Sequence, residues 1–161
     1  RLGGDSSAVQ DRLQNVQQIQ ATSHAFAAVL CDKSVVTWGY ESSGGDSSGV
    51  QSELKNVHQI QSNKRAFAAV LDDGSVVAWG DAACGGDTST VKDQLYGVQR
   101  IQASAQAFAA IRSDGSVVIW GDKSSGGCGE ALPDRLQDVQ QIQASATAFA
   151  AITGDGSVVT W

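Results

Sequence analysis

A fixed period of 41 residues constrains this chain more than any other feature. Trp38, Trp79, Trp120 and Trp161 follow it, and so do Phe26, Phe67, Phe108 and Phe149. Between each Phe and its Trp the copies read alike. The second is Ala66-Phe67-Ala68-Ala69-Val70-Leu71-Asp72-Asp73-Gly74-Ser75-Val76-Val77-Ala78-Trp79-Gly80. A small apolar run, an Asp-Gly pair and a β-branched run spell a β-hairpin, because Gly accepts a positive φ at a tight turn without steric cost. The pair is Asp73-Gly74, Asp114-Gly115 and Asp155-Gly156, but Asp32-Lys33 in the first copy. A non-glycine residue is strained there, so the first hairpin is expected to be looser or to turn differently.

Each hairpin is reached through a similar lead-in. Gly-Gly pairs at Gly3-Gly4, Gly44-Gly45, Gly85-Gly86 and Gly126-Gly127 mark turn-rich loops. An apolar series follows: Val9, Leu13, Val16 and Ile19 in the first copy. Its spacing could place one face on a helix. The segment is short, its end is β-branched and Gln-rich, and a hairpin follows at once. The reading is therefore a helical turn near Leu13 and a strand over Val16–Ala21. In the fourth copy Leu132 replaces the first Val, and Pro133, the single proline, falls in the loop, where it breaks no ladder. Four variable residues then connect strand to hairpin, as in Thr22-Ser23-His24-Ala25 and Asn63-Lys64-Arg65-Ala66. About three antiparallel strands per repeat at a fixed period indicate a propeller, a solenoid or an array. One such unit cannot bury both of its faces, so neighbours must stack, with Trp and Phe at the contact between successive sheets.

The 161 residues suit one repeat domain, with repeats at about 1–39, 40–80, 81–121 and 122–161. Charged residues at 17% and apolar residues at 42% argue against disorder. The net charge is −6 and no repeat has a basic excess. That excludes the clustered Lys and Arg of nucleic-acid or anionic-membrane surfaces. No apolar run approaches the ~20 residues of a membrane-spanning helix, so no direct membrane insertion is expected, and no targeting segment is visible. Cys31, Cys84 and Cys128 occupy three different repeat positions. Such irregular spacing reads as free thiols and favours a reducing intracellular compartment: cytosol, nucleus or plastid. The chain has no Met, so Arg1 reads as the start of a processed product or of part of a longer protein.

No catalytic constellation stands out. His24 and His58 occupy different repeat positions. The one Gly-x-Ser-x-Gly string, Gly45-Asp46-Ser47-Ser48-Gly49, falls in a turn-rich loop and not between a strand and a helix, so it reads as no nucleophile elbow, and no Gly-Lys-Ser/Thr phosphate loop occurs. The Gly-Gly-Asp loops recur every 41 residues, not every nine as in Ca²⁺-binding β-helices. The chain reads as no enzyme, without cofactor or metal. On a repeat scaffold, specificity sits where the copies differ. The candidate binding residues are His24, Lys64, Arg65 and Gln106 in the connectors, and Tyr40, Glu41 and Lys123 in the loops after the Trp-Gly pairs. Tyr40 is the best aromatic anchor, and Lys64-Arg65 the one local basic pair.

Trp38-Gly39 followed by Gly44, with the same spacing at Trp79-Gly80/Gly85 and Trp120-Gly121/Gly126, resembles the Trp-Gly-x4-Gly signature of RCC1-type repeats (regulator of chromosome condensation). Val57-x-x-Ile60, Ala68-Ala69-Val70 and Asp73-Gly74-Ser75-Val76-Val77-Ala78-Trp79-Gly80 are similar to the rest of that repeat. The resemblance covers the whole chain. It implies an all-β fold, a β-propeller of four RCC1-like repeats, with a larger propeller or an open array as the alternative. Propellers of this family usually have seven blades; they occur in chromatin-associated exchange factors, large ubiquitin ligases and short-repeat inhibitors. Here the period is shorter, and Ala25, Ala66, Ala107 and Ala148 stand where the family carries His. Four repeats could close a compact ring, which is the expected arrangement, or pair with another chain, or belong to a longer propeller. The resemblance implies a non-catalytic protein–protein interaction scaffold with protein partners. The Gln-rich, Phe-Ala-Ala version is similar to repeats of dinoflagellate algal proteins. That adds a peripheral structural subunit of a large assembly, a photosynthetic complex being one. A third implication is a regulatory propeller of a larger ubiquitin-ligase-type or exchange-factor protein.

Overall fold

The computed structural model describes residues 3–128 and 136–161, so Leu132 and Pro133 lie outside the described residues. Each repeat forms one three-stranded antiparallel sheet, or blade. Blade 1 comprises β1 (Val16–Ala21), β2 (Ala25–Leu30) and β3 (Val35–Gly39), and blade 2 comprises β4 (Val57–Ser62), β5 (Ala66–Leu71) and β6 (Val76–Gly80). Blade 3 comprises β7 (Val98–Ala103), β8 (Ala107–Arg112) and β9 (Val117–Gly121), and blade 4 comprises β10 (Val139–Ala144), β11 (Phe149–Thr153) and β12 (Val158–Thr160). Strand order is sequential in every sheet. The turn expected near Leu13 is a 3-10 turn at Gln10–Arg12, with Leu13 at its end. No helix among the described residues is long and apolar enough to cross a membrane.

The spacing that imitated a helix has a strand explanation. Val16 and Ile19 are three apart, which would put them on opposite faces of a regular strand. A bulge at Gln17 corrects this: Val16 pairs with Leu30 and Gln18 with Val29. The same shift recurs at Val57/Gln59, Val98/Arg100 and Val139/Gln141. One extra residue flips the side chains that follow. Val57 and Ile60 thus join Phe67, Ala69, Val77 and Trp79 on one face.

That face packs on the preceding blade. Its partners in blade 1 are Ala25, Ala27, Val29 and Val35. Phe108, Ala110, Val118 and Trp120 of blade 3 pack likewise on Ala66, Ala68, Val70 and Val76. Phe149, Ala151 and Val159 of blade 4 pack on Ala107, Ala109 and Ile111. The small alanines leave room for the aromatic pair opposite, stacked at 5.2 Å between the ring centroids of Phe67 and Trp79. Trp79 Nε1–H donates to the Gly44 carbonyl at 3.0 Å, and Trp120 to Gly85 at 3.0 Å. Gly44 adopts φ +89, and a Cβ there would lie 2.6 Å from the Phe67 ring. The expectation that Phe and Trp form the contact between sheets therefore holds.

Backbone bonds repeat at each junction as well. Ser23, Lys64 and Ala105 N–H groups donate to the carbonyls of Lys64, Ala105 and Ala146 at 2.9, 3.1 and 2.9 Å. Val57, Val98 and Val139 N–H groups donate to the carbonyls of Lys33, Gly74 and Gly115 at 3.0, 2.8 and 2.8 Å. The first strands β1, β4, β7 and β10 touch in succession. The result is a four-blade β-propeller-like fold with three shared cores. No buried apolar cluster among the described residues joins blade 4 to blade 1.

The expectation for the first turn needs correction. In blade 2, Leu71 N–H donates to the Ser75 carbonyl and Gly74 N–H to that of Leu71, both at 2.9 Å, with Gly74 at φ +78. This is a three-residue loop with a left-handed third residue. Lys33 takes the same role at φ +64, with Leu30 N–H to Ser34 at 3.0 Å and Lys33 N–H to Leu30 at 2.9 Å. The turn keeps its geometry despite the side chain. Asp32 Oδ1 accepts from Ser34 N–H at 3.0 Å, and the Lys33 ammonium meets the Asp72 carboxylate of the next blade.

Candidate functional site

The residues singled out where the copies differ come together at one end of the molecule. A connector joins the first strand of a blade to the second, and the loop after Trp-Gly leaves the third. In an antiparallel meander both lie at the same end. The Ser23–Lys64–Ala105–Ala146 bonds set the four connectors side by side. His24, Lys64 and Arg65 are exposed, and Gln106 is half-buried. Tyr40, Glu41 and Lys123 border them, all exposed.

Within each repeat, connector and loop are tied. Tyr40 N–H donates to the His24 carbonyl at 2.9 Å, Asp81 N–H to Arg65 at 3.0 Å and Asp122 N–H to Gln106 at 2.9 Å. Side chains differ along the same frame. The His24 and Tyr40 rings lie 6.4 Å apart, centroid to centroid. Arg65 Nη1 meets Asp81 Oδ2 at 2.9 Å. Gln106 Nε2 donates to Cys84 Sγ at 3.6 Å. Asn63 fixes its connector by accepting from Arg65 and Ala66 N–H at 2.9 and 2.8 Å. Thr22 and Ser104 hydroxyls accept from Ala25 and Ala107 N–H at 3.0 and 3.1 Å.

Asp81 and Asp122 each begin the short turn that follows, accepting from Ala83 and Ser124 N–H at 3.0 Å. Tyr40 stands at that position in the first repeat and supplies no side-chain cap to Glu41–Ser43. Tyr40 is 60% exposed. The rim therefore carries an aromatic side chain where its two equivalents are capping carboxylates.

Electrostatic perturbation on the rim is small and has local causes. The Ser124 hydroxyl holds the Asp122 carboxyl below the usual range. Burial pushes the Cys84 thiol up. Cys84 belongs to the shared core of blades 2 and 3, so it is a packing residue. Cys31 is an exposed free thiol and Cys128 a half-buried one. Among the described residues, no three His, Cys, Asp or Glu side chains could hold a metal ion.

A second variable patch lies outside the candidate residues. Arg112 lies over the Tyr96 ring at 3.8 Å and donates from Nε to the Tyr96 carbonyl at 3.2 Å. It sits at the opposite end, beside the turns. The signal was present: Tyr96-Gly97 stands where the other copies read Gln14-Asn15, Lys55-Asn56 and Gln137-Asp138.

No family model and no curated protein matches this chain. Solved structures do. Prp20p of Saccharomyces cerevisiae, the yeast RCC1, is 16% identical at a TM-score of 0.70, over 95% of this chain and 45% of that one. Human WBSCR16 is 18% identical at 0.57, over 91% and 47%. The CRINKLY WD40 ectodomain of the Arabidopsis thaliana receptor kinase ACR4 is 17% identical at 0.59, over 91% and 49%. The chain spans about half the length of each. At these identities the likeness establishes the fold alone: four blades arranged as in an RCC1-like β-propeller.

Proposed function

We propose that this chain is a non-catalytic protein-interaction scaffold that takes a protein partner on the connector rim. Tyr40 is the anchor, and His24, Glu41, Lys64, Arg65, Gln106 and Lys123 form the polar surround. One observation carries the reading. Tyr40 is an exposed aromatic at a position where Asp81 and Asp122 serve the fold as caps. Exposed aromatics beside charged groups are typical anchors of protein interfaces. Prp20p, which shares the fold, has binding properties toward Gsp1p and histones, and has been solved bound to Kap60.

The test is a captured partner titrated against wild type, Tyr40→Asp and Lys64→Glu. Tyr40→Asp is expected to weaken binding about tenfold or more, as for an interface anchor. It should also hold or raise the melting temperature, because it restores a capping carboxylate worth about 0.5 kcal/mol. Unchanged affinity in both variants would remove the rim from function. The same capture separates the two other readings. One stoichiometric large complex would favour a peripheral structural subunit, photosynthetic or otherwise. A catalytic domain in the uncut gene product would favour a regulatory propeller of a ubiquitin-ligase-type or exchange-factor protein.

A further inference from the structure

Every junction between blades is built from two half-surfaces, and the described residues present one exposed copy of each. The first half is the aromatic face. Ile60, Ile101 and Ile142 are 0%, 1% and 2% exposed there, whereas Ile19 of blade 1 is 54% exposed. Leu13, Val16, Phe26 and Trp38 are likewise only half-buried, while Leu54, Val57, Phe67 and Trp79 are buried. The second half is the small-residue face. Val35 and Val76 are 0% and 7% exposed, but Val158 of blade 4 is 61% exposed. Ile152 is also exposed, and Ala148 and Ala150 are half-buried.

The backbone is open in the same register. Among the described residues, the bond series from Ser23 to Ala146 leaves an acceptor without a backbone donor at its start, the Ser23 carbonyl, and a donor without a backbone acceptor at its end, the Ala146 N–H. The series from Lys33/Val57 to Gly115/Val139 would continue from the Gly156 carbonyl to the N–H of a residue equivalent to Val16. Gly74 and Gly115 are packed against the next blade within 3 Å of where a Cβ would be, while Gly156 faces nothing within 4 Å.

We propose that the open face of blade 4 takes the open face of blade 1 of a second copy of this chain, head to tail. The two faces fit because the same pair of surfaces already meets three times within the chain. Ala148, Ala150, Ile152 and Val158 would cover Val16, Ile19 and Phe26. Ala146 N–H would donate to the Ser23 carbonyl of the second copy, and the Gly156 carbonyl would accept from its Val16 N–H. The contact joins two different patches, so two copies related by a two-fold axis make it twice and close one ring of eight blades. Neither face carries a charged side chain at these positions, so desolvation does not oppose the contact. This inference is independent of the rim reading, which concerns residues at the ends of the blades.

The test uses sedimentation on the 161-residue chain and two variants, Ile19→Lys and Val158→Lys. Both side chains are exposed in the single chain, so far-ultraviolet circular dichroism spectra should match wild type, while the melting temperature should fall with the lost association. Wild type is expected to sediment as two chains. Each variant alone should sediment as one chain, with self-association about 100-fold weaker, because a lysine is buried at the contact without a partner. A wild type that stays a single chain at about 100 µM overturns the proposal. So does self-association that survives either substitution.

Discussion

Trp79 and Trp38 occupy the same position in adjacent repeats and live in different surroundings. Each stacks on its Phe with centroids 5.2 Å apart. Trp79 is 4% exposed, faces the alanines of blade 1 and donates to the Gly44 carbonyl. Trp38 is half-buried, no blade among the described residues packs on its face, and its indole N–H has no acceptor among them. The stacked pair is thus a property of one repeat, whereas its burial is a property of two. In a repeat fold, stability divides into a term for each unit and a term for each junction. The interior blades of this chain have both terms, and the end faces lack the second.

The largest expected effect follows from that division. Trp79→Ala should cost about 3–5 kcal/mol, the range for a fully buried aromatic. In the Val158→Lys background, where no second copy covers blade 1, Trp38→Ala should cost about 1 kcal/mol, the worth of its stack. Thermal melts check this, and equal losses would break the comparison.

Next is the glycine beneath the ring. Gly44→Ala puts a Cβ 2.6 Å from Phe67 at φ +89, so a loss of about 2 kcal/mol is expected from overpacking and backbone strain together. Gly49→Ala meets nothing within 4 Å and should change stability by less than about 0.5 kcal/mol. A Gly44→Ala protein as stable as wild type would mean that the junction is loosely packed.

A smaller effect concerns the turn of blade 1. Lys33→Gly relieves a positive φ worth about 1 kcal/mol and loses an exposed ion pair with Asp72, worth less than about 1 kcal/mol. The melting temperature should rise slightly. A clear drop would show that the Lys33–Asp72 contact helps to hold blades 1 and 2 together.

The smallest effect should not distinguish interior from end at all. The Ser34, Ser75 and Ser116 hydroxyls hold Asp32, Asp73 and Asp114 below the usual carboxylate range, and the Ser157 amide does the same for Asp155. A carboxyl whose folded-state pKa is lowered contributes stability at neutral pH. That contribution is lost as pH falls from the usual carboxylate range through the lower folded values. These carboxyls are exposed, so the dependence is slight. Asp73→Asn and Asp155→Asn should flatten the acid limb of the melting profile equally. A larger effect for Asp73 would mean that the turns also report on the junction.

What the sequence made legible follows the same line. The strands, the blade boundaries and the aromatic contact were readable because four copies repeat one pattern, and a 41-residue period leaves few architectures. The bulge at Gln17 was hidden, because a spacing of three between Val16 and Ile19 looks the same in a helix and in a bulged strand. The turn at Lys33 was misjudged because the propensity of one residue yields to the ladder on either side of it. At the rim, the variable positions could be picked out, and antiparallel topology explains why they gather at one end. Their pairing could not be read: Arg65 with Asp81 and Gln106 with Cys84 are contacts across about 20 residues, set by the fold. Tyr96 and Arg112 were passed over for the same reason, being 16 apart and joined only across a turn.

One pair of substitutions tests the division between junction and end most directly. Ile60 and Ile19 are equivalent residues, 0% and 54% exposed. Urea unfolding of Ile60→Ala and Ile19→Ala should be compared in the Val158→Lys background, where no second copy can cover blade 1. Ile60→Ala is expected to lose about 2–5 kcal/mol, and Ile19→Ala less than about 0.5 kcal/mol. Equal losses at the two sites would contradict the account.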